Sequence, residues 1–221
     1  MSSRDTILQR IRSGLANAAA AGFADLREPP VPEVWARTGS NRPALLSRFS
    51  EELKLLNGEP TPCATMNDAR RQIAQLMESG DCARIGCLDR PPLRELTAEV
   101  AADRLDWVAA DWTAQQIEQL PAGVITADAL LADTGSCVVR CATAAERLMC
   151  YLPPICVVVA RVEQIAEHLP AAWEPIAKVC HAQDSRGETV LITGPSRTAD
   201  IEKKLILGVH GPKRLIVLVV G

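Results

Sequence analysis

Apolar residues recur along the chain with two different spacings, and each spacing predicts a type of secondary structure. Ile7, Ile11 and Leu15 lie four positions apart, which is the pattern of an amphipathic helix and predicts one over Ser3–Ala21. A second helical pattern covers Pro43–Leu56. Farther along, short runs rich in β-branched residues indicate strands instead. The chain therefore begins with helices and continues with mixed elements.

Helical and strand-like segments alternate from residue 58 onwards. A helix capped by Asn67 comes first. The helical pattern over Glu163–Cys180 contains Pro170 and Pro175, so we expect a break or a kink there. This alternation favours an α/β fold with a mostly parallel sheet flanked by helices, and we expect the last three predicted strands to be central. The other predicted elements are helices Leu93–Arg104 and Ala114–Leu120, and strands Ala83–Leu88, Trp107–Ala110, Gly123–Thr126, Ile155–Ala160, Val190–Thr193 and Leu215–Val220.

The segment between the first two helices has a different composition. Glu28–Pro43 contains Pro29, Pro30 and Pro32 near Trp35, so it cannot form a regular helix or a central strand. We therefore predict an N-terminal helix with a Pro-rich linker over residues 1–42 and a single domain over residues 43–221.

Composition and charge exclude several classes of protein. The chain is 48% hydrophobic and 23% charged, which is typical of a folded domain. Its net charge of -3 gives no reason to expect a nucleic-acid partner. No apolar stretch has the length of a membrane span, and Met1–Arg10 does not resemble a signal peptide, so we predict a cytoplasmic location.

The eight cysteines are expected to be reduced thiols. No two of them have the Cys-x-x-Cys spacing that iron-sulfur clusters and zinc ribbons typically use. We therefore predict that this chain holds no metal and no cofactor.

Candidate chemistry is concentrated in three glycine-containing segments, Asp133–Ser136, Gly194–Glu202 and Gly208–Pro212. Backbone amides and hydroxyl groups at strand ends can converge on an anion, and Arg197 adds a planar set of donors that suits a carboxylate or phosphate. The predicted ligand-binding residues are Thr134, Gly135, Ser136, Gly194, Pro195, Ser196, Arg197, Thr198, Glu202, Gly208 and Gly211.

His210 is the first candidate for a general acid or base, because its glycine neighbours could present the imidazole to a ligand. Asp200 and Asp133 are the other catalytic candidates. A purely structural alternative stays open: Pro195 and Pro212 would shape turns, Arg197 and Asp200 would form a structural ion pair, and the His210 ring would bond to backbone.

The order and spacing of Ala132-Asp133-Thr134-Gly135-Ser136, Leu152-Pro153-Pro154, Gly194 to Glu202 and Gly208 to Pro212 are similar to those of the lactate-utilisation (LUD) domain family. The similarity is strong over residues 126–221. The resemblance implies a NagB/RpiA/CoA-transferase-like α/β fold. It also implies a role in oxidising L-lactate to pyruvate beside two iron-sulfur subunits, with the clusters in those partners.

Three functions remain open at this stage. The first is an accessory subunit of a lactate-oxidising, L-lactate dehydrogenase-type complex that binds a small acid. The second is a stand-alone enzyme of the same fold class, such as a phosphosugar isomerase, a CoA transferase or a folate cyclo-ligase. The third is a non-catalytic scaffold that binds an acid and recruits partners.

Overall fold

The computed structural model describes residues 3–20, 41–80, 82–180, 187–199, 205–207 and 211–221. The chain divides into two compact units, Met1–Ala36 and Arg37–Gly221. In the first unit, helix α1 covers Ser3–Ala20, as the spacing predicts, and its apolar side chains Ile7, Ile11 and Leu15 are exposed. Most of the Pro-rich segment lies outside the described residues. The domain boundary at residue 42 stays a prediction.

The second unit contains six helices and twelve strands among the described residues. The helices are α2 Arg42–Leu55, α3 Met66–Glu78, α4 Pro91–Leu96, α5 Ala114–Glu118, α6 Ala144–Met149 and α7 Leu169–Cys180. The strands are β1 Glu59–Cys63, β2 Ile85–Leu88, β3 Leu105–Val108, β4 Ala122–Thr126, β5 Ala129–Leu131, β6 Ser136–Cys141, β7 Ile155–Arg161, β8 Ile165–Ala166, β9 Glu188–Ile192, β10 Arg197–Ala199, β11 Leu205–Leu207 and β12 Arg214–Val220.

Six parallel strands form the main sheet in the order β1-β12-β7-β4-β2-β3. Every residue of β4 is buried, as are Ile155–Ala160 of β7 and Leu215–Val220 of β12. Strands that are apolar on both faces are stable only when helices cover both sides of the sheet. The predicted fold, a mostly parallel sheet flanked by helices, is confirmed.

A second sheet of four strands, β8-β5-β6-β9, begins where β4 ends. The connection is made by two backbone hydrogen bonds, from Ala127 N to Val159 O (3.0 Å) and from Asp128 N to Val138 O (2.8 Å). The prediction that Val190–Thr193 is a central strand is wrong. The first three residues of this segment belong to β9, which pairs antiparallel with β6 at the end of the small sheet and exposes Leu191. A β-branched run fits a half-covered strand as well as a central one.

Several helix ends differ from the predicted ones. The N-cap of α3 is Thr65, not Asn67, because Thr65 and Asp68 form a reciprocal capping box. Helix α4 ends at Leu96, and the rest of the predicted helix is a loop with a 3-10 turn at Ala102–Arg104. The end predicted at Asn57-Gly58 is confirmed, since Asn57 adopts a φ of 65° directly after α2.

Helix α7 begins at Leu169, so the predicted helix over Glu163–Cys180 is too long at its start. Residues before it form a 3-10 turn at Val162–Gln164 and the short strand β8. Pro170 lies in the first turn of α7, where a backbone N–H has no helical partner, and it therefore does not interrupt the helix. Among the described residues, every helix is too short or too polar to span a lipid bilayer.

Candidate functional site

In the small sheet, hydroxyl groups of the first glycine-containing segment form a hydrogen-bonded cluster with the hydroxyl group of Thr193. Thr193 directly precedes the second segment. Ser136 Oγ donates to Thr134 Oγ1 at 2.8 Å and shares a second hydrogen bond with Thr193 Oγ1 at 2.7 Å. Ser136 is only 3% exposed. The structure thus brings together stretches nearly sixty positions apart, and their hydroxyls bind one another.

Both glycines of these segments lie against the C-terminal end of α2. Gly135 has a φ of 62°, and a Cβ there would lie 2.4 Å from Leu53 N. Gly194 has a φ of 92°, and its Cβ would lie 3.0 Å from Leu56 Cβ. Close packing and positive φ therefore account for both glycines. The C-terminal end of a helix carries partial negative charge, which disfavours an anion at this place.

The second and third segments also meet. Ser196 N donates to Pro212 O at 2.9 Å, and a Cβ on Gly211 would lie 3.0 Å from Ser196 Cβ. They lie next to the start of β12, where Lys213 N donates to Pro154 O just before β7. This is the amino-terminal edge of the main sheet, whereas ligands of open α/β sheets typically bind beyond the carboxyl ends of the strands.

The remaining predicted residues have varied positions. Pro195 is buried, Arg197 is exposed, and Thr198 belongs to β10. Asp133 N donates to Glu167 O at 3.1 Å, and Asp133 Oδ1 is buried without a hydrogen-bond partner among the described residues. The other four, Asp200, Glu202, Gly208 and His210, lie outside the described residues.

At the carboxyl ends of the parallel strands, Arg90 connects three elements. It follows β2 closely, and its guanidinium donates to Thr126 Oγ1 at the end of β4 (2.9 Å) and to Arg140 O in β6 (3.0 Å). It also forms an ion pair with Glu146 of α6 at 3.2 Å, with both side chains mostly buried. Arg90 therefore holds the main sheet, the small sheet and α6 together.

Asp128 and Gln164 lie beside this junction. Asp128 Oδ2 accepts a hydrogen bond from Arg140 N at 2.7 Å, and Gln164 Nε2 donates to Ala127 O at 2.7 Å. Both residues line two cavities. The smaller, about 240 Å³, is bordered by the ends of β4, β7 and β12, and the larger, about 440 Å³, lies between the small sheet and α7.

The larger cavity has apolar and charged walls. Ala129 and Val138 of the small sheet and Ala172 and Ile176 of α7 form part of its apolar wall. Arg140, Asp128, Glu163 and Gln164 supply its charged and polar groups. Arg140 Nη1 is buried and has no hydrogen-bond partner in the described parts of the chain. An unsatisfied buried donor costs about 1–3 kcal/mol, so such a group marks a candidate place for a ligand or water.

Sequence reasoning did not find Arg90, Asp128, Arg140 or Gln164. A usable signal existed for the first two, because Arg90 and Asp128 each lie two residues after a strand that the sequence does predict. Polar residues that follow parallel strands collect at one edge of the sheet. Across the described ranges, no group of three or more His, Cys, Asp and Glu side chains could hold a metal ion.

Comparisons with known proteins agree with this architecture. A family model described as the LUD domain matches residues 46–220. A protein named Lactate utilization protein C from Geobacillus sp. (strain WCH70) is 32% identical over 47% of this chain and 43% of its own length. Its counterpart from Geobacillus thermodenitrificans (strain NG80-2) is 25% identical over 99% of this chain and 96% of its own length. An Escherichia coli (strain K12) protein named Uncharacterized protein YkgG is 33% identical over 48% of the chain.

The matches at 29–33% identity therefore span less than half the length of those relatives. Among solved structures, the crystal structure of a DUF162 family protein from Deinococcus radiodurans superimposes with a TM-score of 0.62. That match covers 82% of this chain and 99% of the other at 19% identity. At this identity the match shows the fold alone, and it confirms the α/β architecture.

Proposed function

Because the chain belongs to the LUD domain family, we propose that it acts in lactate utilisation, as an accessory subunit of an iron-sulfur system that oxidises L-lactate to pyruvate. The observation that carries this proposal is the match along nearly the whole chain to a protein named Lactate utilization protein C. The proposed partners are iron-sulfur subunits of the same system.

We place the clusters in those partners on the basis of the thiols in this chain. Cys87, Cys137 and Cys156 are fully buried in the core. Burial raises the pKa of Cys87 and of Cys156 to about 12, and it raises the pKa of Cys137 as well. Iron is bound by thiolates, so a raised pKa disfavours these side chains as ligands. In the proposed system, electrons from lactate pass to another subunit.

The larger cavity is the place where the geometry best supports binding of a small acid. Arg140 lines the cavity and carries a positive charge, which suits a carboxylate. Asp128 offers an acceptor for the 2-hydroxyl group, and the alanine-rich wall suits the methyl group. The cavity, about 440 Å³, also leaves room for water or for a larger 2-hydroxy acid.

The site predicted from the sequence is the alternative location. It would use Arg197 with the Thr134–Ser136 and Gly194–Ser196 loops. In the described part of that region, the hydroxyls bind each other and both glycines pack on α2. Those interactions favour the cavity beside Arg140 as the acid-binding site.

Two matched arginine variants distinguish these sites. Binding of L-lactate and pyruvate to the purified chain is measured by titration calorimetry, with phosphate as a second anion. Arg140→Gln should weaken binding by about tenfold or more, the loss expected for one charge-assisted hydrogen bond, and Arg197→Gln should leave it within about twofold. The reverse pattern would place the acid at the loops. No binding of either acid would reject an acid site in this chain.

The role in a complex needs its own experiment. Native protein, purified with a tag from its own host, should bring down iron-sulfur proteins, and deletion of its gene should stop growth on L-lactate. Normal growth of the deletion strain, with no iron-sulfur protein attached, would reject the proposal. Turnover of a phosphosugar or acyl substrate by the isolated chain would instead favour a stand-alone enzyme.

A further inference from the structure

Two buried thiols of the second unit lie in contact. Cys141 ends β6 and Cys150 caps the end of α6, and their Sγ atoms are 3.8 Å apart. They are 2% and 3% exposed, respectively. A disulfide needs an S–S distance of about 2.0 Å, which is a short movement from this contact. The two sulfurs are therefore positioned for a covalent link.

A surface cavity is bordered by one residue of this pair. Cys141 lines a cavity of about 300 Å³ whose rim includes the exposed residues Ala142, Ala144, Gly187 and Glu188. A reagent of the size of hydrogen peroxide fits such a space. The other buried cysteines, Cys87, Cys137 and Cys156, do not line this cavity.

The two thiols have pKa values shifted in opposite directions. The hydrogen bond between the two thiols lowers the pKa of Cys141 and the Arg90 guanidinium acts in the same direction, whereas burial, Glu146 and Asp128 act in the opposite direction. The same hydrogen bond, together with burial, raises the pKa of Cys150. Thiolates are the nucleophiles in thiol oxidation, and Cys141 is the residue of the pair that borders the surface cavity, so we assign it as the sulfur that reacts first.

We propose that Cys141 and Cys150 form a reversible disulfide when the protein meets a peroxide. The Cys141 sulfur attacks one peroxide oxygen, the O–O bond breaks, and one water leaves, which gives a sulfenic acid. The Cys150 sulfur then attacks the Cys141 sulfur, the S–O bond breaks, and a second water leaves. Two electrons and two protons pass from the thiols to hydrogen peroxide, and the S–S bond joins β6 to α6.

Peptide mapping of the wild-type chain tests the proposal directly. The full-length protein is reduced, exchanged into buffer, treated with hydrogen peroxide, blocked with N-ethylmaleimide and digested with trypsin. Cleavage after Arg140, Arg147 and Arg161 gives peptides 141–147 and 148–161. We expect these two peptides to be linked, with the loss of two hydrogen atoms, and to separate after treatment with dithiothreitol.

Cys156 provides the matched control, because it shares the tryptic peptide 148–161 with Cys150 and is equally buried. Cys156→Ser should keep the cross-link, whereas Cys150→Ser should lose it and leave a sulfenic acid at Cys141 that dimedone traps. A link to Cys156 or Cys180, or an unmodified pair in the wild type, would overturn the proposal. Tandem mass spectrometry of the wild type gives this answer even if a serine variant fails to fold.

Discussion

Gly135 lies against the backbone of Leu53, so that a Cβ at position 135 would be 2.4 Å from Leu53 N and 2.8 Å from Leu53 Cα. The turn between β5 and β6 therefore packs directly on the end of α2. Leu53 itself is fully buried. A glycine that the sequence suggests as part of an anion site thus also has a packing role.

Gly135→Ala should lower the free energy of unfolding by about 2–3 kcal/mol, because it adds a backbone clash to the cost of a positive φ. Gly80→Ala is the matched control: Gly80 has a φ of 84°, but apart from its chain neighbours no atom of the described residues lies within 4 Å of the place that an alanine methyl group would occupy. The free energy of unfolding of that variant should fall by only about 1 kcal/mol. Urea denaturation of both variants measures the difference, and equal losses would contradict the contact with α2.

Gly86 makes a different contact, with the side chain of Leu120. A Cβ at position 86 would lie 2.3 Å from Leu120 Cδ1, and the φ of Gly86 is not positive. Gly86→Ala should therefore destabilise the wild-type chain by about 1–3 kcal/mol, whereas it should cost much less in a Leu120→Ala background. A double-mutant cycle by urea denaturation measures this coupling. Additive losses would show that Leu120 does not occupy the space.

The three interactions of Arg90 predict that its geometry matters more than its charge. Arg90→Lys keeps the charge and loses the planar set of donors, so it should destabilise the protein by about 1–3 kcal/mol. Arg71→Lys is the comparison, since Arg71 forms an exposed ion pair with Asp68 three residues away. It should change stability by less than about 0.5 kcal/mol. Thermal and urea unfolding measure both changes in stability. An Arg90→Lys variant with unchanged stability would contradict the role of Arg90 in holding the two sheets and α6 together.

The cap of α3 predicts a dependence on pH. Hydrogen bonds from Thr65, and then from Arg71, hold the pKa of Asp68 below its ordinary value in the folded chain. Asp68 therefore contributes stability above its unfolded pKa, and this contribution is lost as the pH falls through the lowered, folded pKa. The stability gap between wild type and Asp68→Asn should be constant near neutrality and shrink below about pH 4. Urea titrations across this range would contradict the assignment if the gap stayed unchanged.

The sequence predicts the main sheet well because its central strands are continuous apolar runs. Ile155–Ala160 and Leu215–Val220 both form buried parallel strands. Strand β1 is not predicted, because Pro60 and Pro62 interrupt its pattern. Proline is tolerated at the edge of a sheet, and β1 is an edge strand. Local patterns therefore identify central strands more readily than edge strands.

The candidate site is less predictable, since it depends on contacts between distant segments. The second and third glycine-containing segments meet through the hydrogen bond from Ser196 N to Pro212 O, and their role in binding a ligand stays a prediction. The cavity beside Arg140, by contrast, needs β5, β6, β8 and α7 to enclose one space. Residue spacing carries no information about such an enclosure, because the cavity depends on the direction in which the small sheet continues from the end of β4.

Strand β12 lies between β1 and β7, and this position matters for folding on the ribosome. Arg214 at its start forms two 2.8 Å hydrogen bonds with Glu59, 155 positions earlier. Strand β1 must therefore leave the exit tunnel long before its neighbour in the sheet is synthesised. Contacts between such distant segments form slowly. During translation, the growing chain exposes an incomplete sheet edge until β12, a strand of seven residues, covers it.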